Sequence, residues 1–318
     1  DNVRMEKEEL TLTADSLRLD SKNDIVTAQG SVRFSDSEYS LKSRLLTFYT
    51  EMDSGIAEGD VEFLQKGQTI TAGKIIYKKE SNDAASYRAE GNVTIQEEER
   101  TATCGISIYN AVSDMSQLLD DPLVEQEGQQ LSGKEIYLRY RDDKLFRLSI
   151  PEAAHIIYPR QGRTAADSLS SYSDDMTGQS LESFLEQGLI DSVRLDGMAT
   201  TLYHLFEDSV YQGKNIASGD TITLLFEPDS TNNRDITSIH IAGGARGEYH
   251  PDSTAQDIHE NIVYSADTIH YSVPVRETWL RKDVEIDYQQ TELKSGFVNV
   301  LWIDTLMKAS AVPPGTAE

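Results

Sequence analysis

The feature of this sequence that most constrains its fold is a short phrase that recurs along almost the whole chain. Each copy has a small residue, two further residues, an apolar residue, a spacer and a second apolar or aromatic residue. The nine copies are Ala14/Leu17/Leu19, Ser43/Leu46/Phe48, Ala72/Ile75/Tyr77, Thr103/Ile106/Ile108, Gly133/Ile136/Leu138, Ala166/Leu169/Ser171, Gly219/Ile222/Leu224, Ala266/Ile269/Tyr271 and Ser295/Val298/Val300. The last two positions of a copy are two residues apart, which places them on one face of a β-strand. The phrase therefore predicts strands rather than helices.

The spacing of the copies predicts a stack of similar units. Successive small residues are 29, 29, 31, 30, 33, 53, 47 and 29 positions apart. A nearly constant period of this size is typical of stacked units that share one core. The two long steps predict an extra hairpin in each unit between residues 195 and 251, with tips near Gln212 and Gly213 and near Asn232 and Asn233.

A second phrase alternates with the first and reads AQGSV, AEGDV and AEGNV, ending at Val32, Val61 and Val93. Its glycine precedes an alternating stretch, so we expect a turn or bulge of positive φ that begins a strand. Because the two phrases alternate, we predict two strands in each unit. The overall prediction is an all-β, antiparallel fold of about nine repeats of roughly 30 residues.

The same pattern predicts the domain organisation. Residues 1–160 hold regular repeats, residues 161–179 are Ser-rich and read as a polar loop or boundary, and residues 180–308 hold expanded repeats of the same fold. Residues 309–318 resemble a linker. The segment 181–186 is the one helix candidate, but we favour a hairpin with residues 189–195, because both segments alternate around Gln187 and Gly188.

Charge and cysteine content exclude several classes of function. The chain has 29 basic and 54 acidic residues and a formal net charge of -25. Such a surface repels polyphosphate backbones, so no nucleic-acid partner is expected. The single cysteine, Cys104, excludes an internal disulfide, and we expect it to be a packed apolar residue.

The sequence shows no pattern that is typical of a catalytic or metal site. The six histidines lack ligand spacing, although His250, His259 and Glu260 lie close together in the sequence. The acidic pairs that begin at Asp120, Asp142 and Asp174 are expected to be solvated turns. The chain contains neither a nucleophile elbow nor a phosphate-binding loop. We therefore predict no catalytic residue, no metal, no cofactor and no enzyme activity.

Several copies carry a resemblance to a known family. Residues 13–19 (TADSLRL), 71–77 (TAGKIIY), 89–93 (AEGNV) and 265–271 (SADTIHY) resemble the OstA-like, LptA-like family of bacterial lipopolysaccharide transport. That family includes a periplasmic bridge protein and the N-terminal periplasmic domain of the LptD-type outer-membrane translocon. The resemblance extends over residues 10–308, although this chain is longer than the usual bridge protein and its middle units are expanded.

The resemblance implies a fold, a function and a set of partners. The fold would be a twisted antiparallel β-jellyroll whose facing sheets leave an apolar groove. The groove would hold the acyl chains of lipid A while lipopolysaccharide crosses the periplasm to the outer membrane, without enzymatic chemistry. The expected partners are lipopolysaccharide, other OstA-like domains joined by end-to-end strand addition, and the outer-membrane translocon. The expected location is periplasmic, with outer-membrane association.

The repeated apolar positions are the candidates for lining this groove. They are Leu17, Leu19, Leu46, Phe48, Ile75, Ile106, Ile108, Ile136, Leu138, Ile269, Val298 and Val300. The sequence alone does not separate an open groove from a filled inter-sheet core. Two alternatives stay open: a carbohydrate-binding or polysaccharide-lyase repeat protein that uses its 15 tyrosines for stacking, and a structural repeat protein with a dry core.

Overall fold

The structure is a computed structural model, and it describes most of the chain. The described residues are 3–7, 9–37, 39–80, 85–98, 100–126, 128–164, 168–207, 209–228, 234–252, 259–303 and 306–312. Within these ranges the regular elements are all β-strands. No helix in the described ranges is long and apolar enough to cross a membrane.

The chain divides into two compact units, residues 1–148 and 149–318. The first unit contains thirteen strands and most of a fourteenth. They are β1 Val3–Lys7, β2 Leu10–Ala14, β3 Ser16–Asp20, β4 Ile25–Ser35, β5 Tyr39–Tyr49, β6 Ser54–Gln65, β7 Gln68–Lys79, β8 Ala85–Glu97, β9 Arg100–Asn110, β10 Met115–Leu119, β11 Leu123–Gln126, β12 Gln129–Ser132, β13 Glu135–Arg141 and β14 Lys144–Ile150.

The second unit contains fewer but longer strands. They are β15 Ala154–Arg163, β16 Leu169–Gly178, β17 Ser180–Glu186, β18 Leu189–Glu207, β19 Val210–Pro228, β20 Arg234–Pro251, β21 Ile262–Ser272, β22 Glu277–Tyr288, β23 Thr291–Ile303 and β24 Leu306–Val312. From β17 to β24, each strand pairs antiparallel with the next one. Before them, β16 pairs antiparallel with β15 and with β18. One parallel bridge joins Arg163 to Val210.

The glycine phrase forms a bulge inside a strand. In β6, the pairing with β5 and β7 shifts register between Glu58 and Val61. Gly59 and Asp60 occupy this step with φ of 83° and 49°. Because L-residues rarely adopt such angles, glycine is the natural residue at the first position. The predicted positive φ is confirmed, but the strand continues through the bulge instead of beginning there.

The small-residue phrase marks the complementary step on the partner strand. In β7 the buried positions are Ile70 and Ala72 and then Ile75 and Tyr77, so the inward face shifts by one residue after Ala72. The two halves of each long strand thus turn their buried faces toward one interior. The all-β class is confirmed, and the architecture is of the twisted antiparallel β-jellyroll type. The count of nine repeats stays a prediction.

The fourth copy of the phrase has a different frame from the predicted one. The predicted copy is Thr103/Ile106/Ile108, but from Thr103 onward the buried residues of β9 are Cys104, Ser107 and Tyr109. The buried small residue is Cys104, one residue later than the predicted Thr103. The two inward positions that follow are likewise one residue later, at Ser107 and Tyr109. The prediction that Cys104 is packed is confirmed, and burial raises the pKa of its thiol to about 11.

In the described part of residues 161–179, most residues belong to strands rather than to a loop. Leu169–Gly178 form β16, which pairs with β15 over ten residues. The serines of β16 are compatible with a strand because one of its faces lies toward solvent. Residues 165–167, which include Ala166 of the sixth copy, lie outside the described residues. The predicted hairpin is confirmed, since β17 pairs with β18 from Ser180 and Asp196 to Glu186 and Leu189.

The long steps of the repeat come from longer strands and not from extra hairpins. Strands β18 and β19 have 19 residues each and β20 has 18, whereas β4 to β9 have 11 to 13. Gln212 and Gly213, predicted as a hairpin tip, lie inside β19, where Gly213 pairs with Leu205 and Pro251. The second predicted tip, at Asn232 and Asn233, lies outside the described residues.

Candidate functional site

A cavity of about 260 Å³ lies in the interior of the second unit. Strands β18 to β23 line it, and β20 to β23 do so from both sides of their bulges. The volume lies just below the range of ~300–1,000 Å³ that is common for small-molecule sites. It also exceeds the ~150 Å³ of cavities that bind a small apolar molecule in an otherwise packed core.

The floor of the cavity is formed by buried aliphatic side chains. Ala217, Ile241, Ile269, Leu280 and Val300 line it and are all buried. Each comes from a different strand, because alternate residues of each strand face the interior. Among the described residues that line the cavity, none is Asp, Glu, Lys, Arg or His. The interior surface therefore suits an uncharged, apolar group.

Tyrosines contribute a second part of the lining. They are Tyr203, Tyr249, Tyr264, Tyr271 and Tyr288. The hydroxyl of Tyr264 donates to Asn215 Oδ1 at 2.8 Å, and that of Tyr249 donates to the backbone oxygen of Gln212 at 3.1 Å. Burial raises the pKa of both hydroxyls to about 12, so both remain neutral. These rings present apolar faces while their hydroxyls have partners elsewhere.

The cavity reaches the surface at the hairpin between β22 and β23. Thr291 lines the cavity and is exposed, and its neighbours Tyr288 and Leu293 are half-buried. Ile269 and Val300, by contrast, are buried. The exposed end of the cavity therefore lies at this hairpin, and the buried residues lie at its other end.

In its described residues, the interior of the first unit is packed with aromatic side chains. Six aromatic side chains contact one another in series across it. They are Phe34, Tyr39, Phe63, Tyr77, Tyr87 and Tyr109, and their ring centres lie 5.4 to 6.3 Å apart in the contacting pairs. Such spacing is typical of packed aromatic pairs. A cavity between Gln65, Lys66 and Tyr140 has a volume of only about 10 Å³, enough for one water molecule.

Most of the predicted groove residues are buried, but only a few line the cavity. Eight of them are buried, namely Leu46, Phe48, Ile75, Ile136, Leu138, Ile269, Val298 and Val300. Ile269 and Val300 line the cavity of the second unit. Leu46, Phe48, Ile75, Ile136 and Leu138 lie in the first unit, whose interior is filled. Whether any of the twelve contacts lipid stays a prediction.

The remaining four candidates are not buried. Ile106 and Ile108 are half-buried and lie beside the exposed ion pair of Arg88 and Glu90, because the frame of this copy is shifted. Leu17 is half-buried and Leu19 is 68% exposed. Both pair with β4 opposite its buried residues, but they belong to the short strand β3 near the start of the chain.

Several cavity residues were not predicted from the phrase. Thr201, Tyr203 and Leu205 line the cavity from β18, and Asn215 and Ala217 line it from β19. Their alternation is visible in the sequence, but it lies before the small residue of the seventh copy. A search for inward positions on both sides of each bulge would have found them.

One of the three acidic pairs departs from its prediction. The pairs at Asp120 and Asp142 lie in turns of positive φ, as expected. Asp174 instead lies in β16, and its side chain is only 1% exposed. Burial raises the pKa of its carboxyl, opposed by hydrogen bonds from His204 and by the charge of Arg160. In the described part of the chain, no group of three or more His, Cys, Asp or Glu residues is placed to hold a metal ion.

Comparisons with known proteins point to one family. Residues 47–144, just under a third of the chain, match the family model described as LptA/LptD N-terminal domain LPS transport protein. The crystal structure of LptH from Pseudomonas aeruginosa, titled the LptA homologous periplasmic component of the lipopolysaccharide transport device, is 14% identical. It aligns over 51% of this chain and 93% of LptH with a TM-score of 0.21, and we take no site residue from it.

No curated protein matches the chain. The family match lies within the first unit, whereas the apolar cavity lies in the second. The matched segment also contains the phrases that carried the resemblance at residues 71–77 and 89–93. Residues 47–144 are therefore similar to the LptA/LptD N-terminal domain family of lipopolysaccharide transport proteins, in agreement with the family that the repeated phrases resemble.

Proposed function

We propose that this protein takes part in lipopolysaccharide transport and binds an acyl chain of lipid A in the cavity of the second unit. The observation that carries the proposal is the cavity of about 260 Å³ with its uncharged lining. The family match supplies the class of ligand. The protein would act in the periplasm, as the resemblance to the LptA-like family implies.

The energetics favour such a ligand. Each methylene moved from water into an apolar interior contributes about 0.8 kcal/mol. Eight buried methylenes would therefore contribute about 6 kcal/mol before the costs of association. The sugars and phosphates of lipopolysaccharide would stay outside the apolar floor, which holds no charged partner for them. Binding and release require no covalent step, so the function is transport without catalysis.

An exposed apolar residue on β3 supports the proposed partners. Leu19 is 68% exposed, and its strand, β3, pairs with β4 beside the buried residues Val26 and Ala28. An apolar residue beside a core is a natural continuation point for a strand from another molecule. We therefore keep end-to-end strand addition by related domains, contact with the translocon and outer-membrane association as parts of the proposal.

A substitution that fills the cavity tests the proposal. Ala217 is buried in the cavity wall on β19, whereas its neighbour Ile216 points outward and is 38% exposed. Ala217→Phe should fill the cavity, weaken binding of lipopolysaccharide at least tenfold and leave the melting temperature unchanged or higher, because filling a void adds contacts. Ile216→Phe is the matched control and should leave binding unchanged.

Binding can be followed by displacement of a fluorescent fatty acid from the purified chain. Circular dichroism reports whether each variant keeps its strands. If folded Ala217→Phe binds lipopolysaccharide as well as the parent protein does, the cavity is not the site. The alternative of a dry core would then apply to the second unit as it does to the first.

A further inference from the structure

A cluster of two basic side chains and one carboxyl group lies next to the apolar cavity of the second unit. Arg160 on β15, Asp174 on β16 and His204 on β18 form it. The Oδ1 atom of Asp174 accepts a hydrogen bond from the backbone N–H of His204 at 2.8 Å. The same oxygen lies 2.8 Å from Nδ1 of the His204 ring. Arg160 Nη1 lies 3.5 Å from Asp174 Oδ2. Two basic groups therefore share one buried carboxylate.

Aromatic rings hold the guanidinium of Arg160 in place. Its central carbon lies 5.3 Å from the ring centre of Tyr203, 5.4 Å from that of Phe206 and 5.9 Å from that of Tyr158. Such contacts stabilise a cation over the faces of aromatic rings. Tyr203 also lines the cavity, so a single ring separates the cavity from the cation. Arg160 belongs to the same alternate set of β15 residues as Ala154 and Ile156, which are buried.

Arg160 is accessible and keeps capacity for another acceptor. Its side chain is 28% exposed, whereas that of Asp174 is 1% exposed. The distance of 3.5 Å to Asp174 Oδ2 is longer than a good hydrogen bond, and this oxygen forms none with the described residues. A guanidinium carries five N–H donors in a planar fork that matches a phosphate or a carboxylate. In a chain of net charge -25, an inward-facing cation beside an apolar cavity is conspicuous.

We propose that Arg160 binds the anionic group of an amphiphile, a phosphate or a carboxylate, whose acyl chain lies in the adjacent cavity. This inference rests on the proposed function and adds the charge of the ligand to it. Tyr203 contacts both parts, with the acyl chain on its cavity side and the guanidinium against its ring. The site selects anionic amphiphiles over neutral ones of equal chain length.

The experiment compares ligands that share a chain and differ in the head group. Dodecyl phosphate, dodecanol and inorganic phosphate are titrated by calorimetry into the full chain. The variants are Arg160→Gln and the double variant Arg160→Gln/Asp174→Asn, which avoids an unpaired buried carboxylate. Arg246→Gln, an exposed position on β20, is the control. Circular dichroism establishes that each variant is folded.

We expect the parent protein to bind dodecyl phosphate about tenfold more tightly than dodecanol, as one charged hydrogen-bond pair would provide. Arg160→Gln and the double variant should abolish this preference and leave dodecanol binding unchanged, while Arg246→Gln should change neither. Inorganic phosphate alone should not bind measurably.

Two results would overturn the inference and leave acyl binding intact. One is that the preference for dodecyl phosphate persists in both Arg160 variants. The other is that inorganic phosphate binds as tightly as dodecyl phosphate, which would make the cluster a site for free anions. If the parent protein binds neither alkyl ligand, the proposed function fails as well.

Discussion

The two units are built from the same phrase but differ in what fills their interiors. In the first unit, Ala72, Ile75 and Tyr77 form one copy, and Tyr77 packs among other aromatic rings. In the second unit, Ala266, Ile269 and Tyr271 form another copy, and Tyr271 is half-buried at the wall of a cavity. Equivalent sequence positions therefore give a packed core in one unit and a hollow interior in the other.

The difference comes from residues outside the phrase. Phe34 and Phe63 fill the space opposite Tyr77 in the first unit. Tyr203 and Leu205 take part in the wall of the second unit, whose strands β18 to β20 are also longer. Side chains that line a cavity make fewer contacts than those of a packed core, so a hollow interior costs stability. This cavity is the site in which we propose that the acyl chain binds.

The largest expected contrast comes from a buried charge at the matched positions. Ile75→Asp should destabilise the first unit by at least about 4 kcal/mol, because it removes a buried side chain and buries a carboxyl. Ile269→Asp should cost about half as much, since its carboxyl faces a cavity that reaches the surface. Denaturant unfolding of both variants measures this difference. Equal losses of stability would show that the two interiors are packed alike.

A medium contrast is expected when large side chains are truncated. Phe63→Ala removes a fully buried ring from the aromatic series and should cost about 3–5 kcal/mol. Leu280→Ala only enlarges an existing cavity. It should therefore lower the free energy of unfolding by about 2 kcal/mol, the lower end of the range for buried leucines. Thermal unfolding of the two variants provides the comparison. A larger loss for Leu280→Ala would contradict the packed character of the first unit.

The smallest expected effect concerns the reactivity of a cysteine thiol placed in each interior. Native Cys104 is buried in the first unit and its pKa is about 11, so only about one thiol in a thousand is ionised at pH 8. It should react with a small apolar maleimide only after unfolding. A cysteine at Ile269, made in a Cys104→Ser background, should react in the native state. Mass spectrometry after timed labelling measures both rates, and fast labelling of native Cys104 would contradict a closed first unit.

Much of the fold could be predicted because it depends on local patterns. The phrase predicted strands, the glycine phrase predicted bulges, and the alternation around Gln187 and Gly188 predicted the hairpin of β17 and β18. The frame of the fourth copy was missed because Thr103 and Cys104 are both small, and only packing shows which points inward. The polar strand β16 was missed because its serines are exposed or half-buried, and a segment with many serines resembles a loop in composition.

The cavity could not be predicted, because it depends on residues that are distant in the sequence. The copies at Ile75 and Ile269 share Ala, Ile and Tyr at the three repeated positions, and the space beside them is decided by Phe63 in one unit and by Tyr203 in the other. Arg160 and Asp174 likewise gave no signal, because their relation to Tyr203 arises from strand pairing. Sequence periodicity predicts which residues face inward, but not how completely they fill the interior.

The most direct test of the account is photocrosslinking to lipopolysaccharide at the two matched positions. A photoreactive phenylalanine at Ile269 lies in the cavity wall, and one at Ile75 lies in the packed interior of the first unit. The exposed residue Lys42 serves as the control position. The account predicts adducts at Ile269 and none at Ile75 or Lys42 in folded protein. Adducts at Ile75 with none at Ile269 would contradict it and would place the lipid path in the first unit.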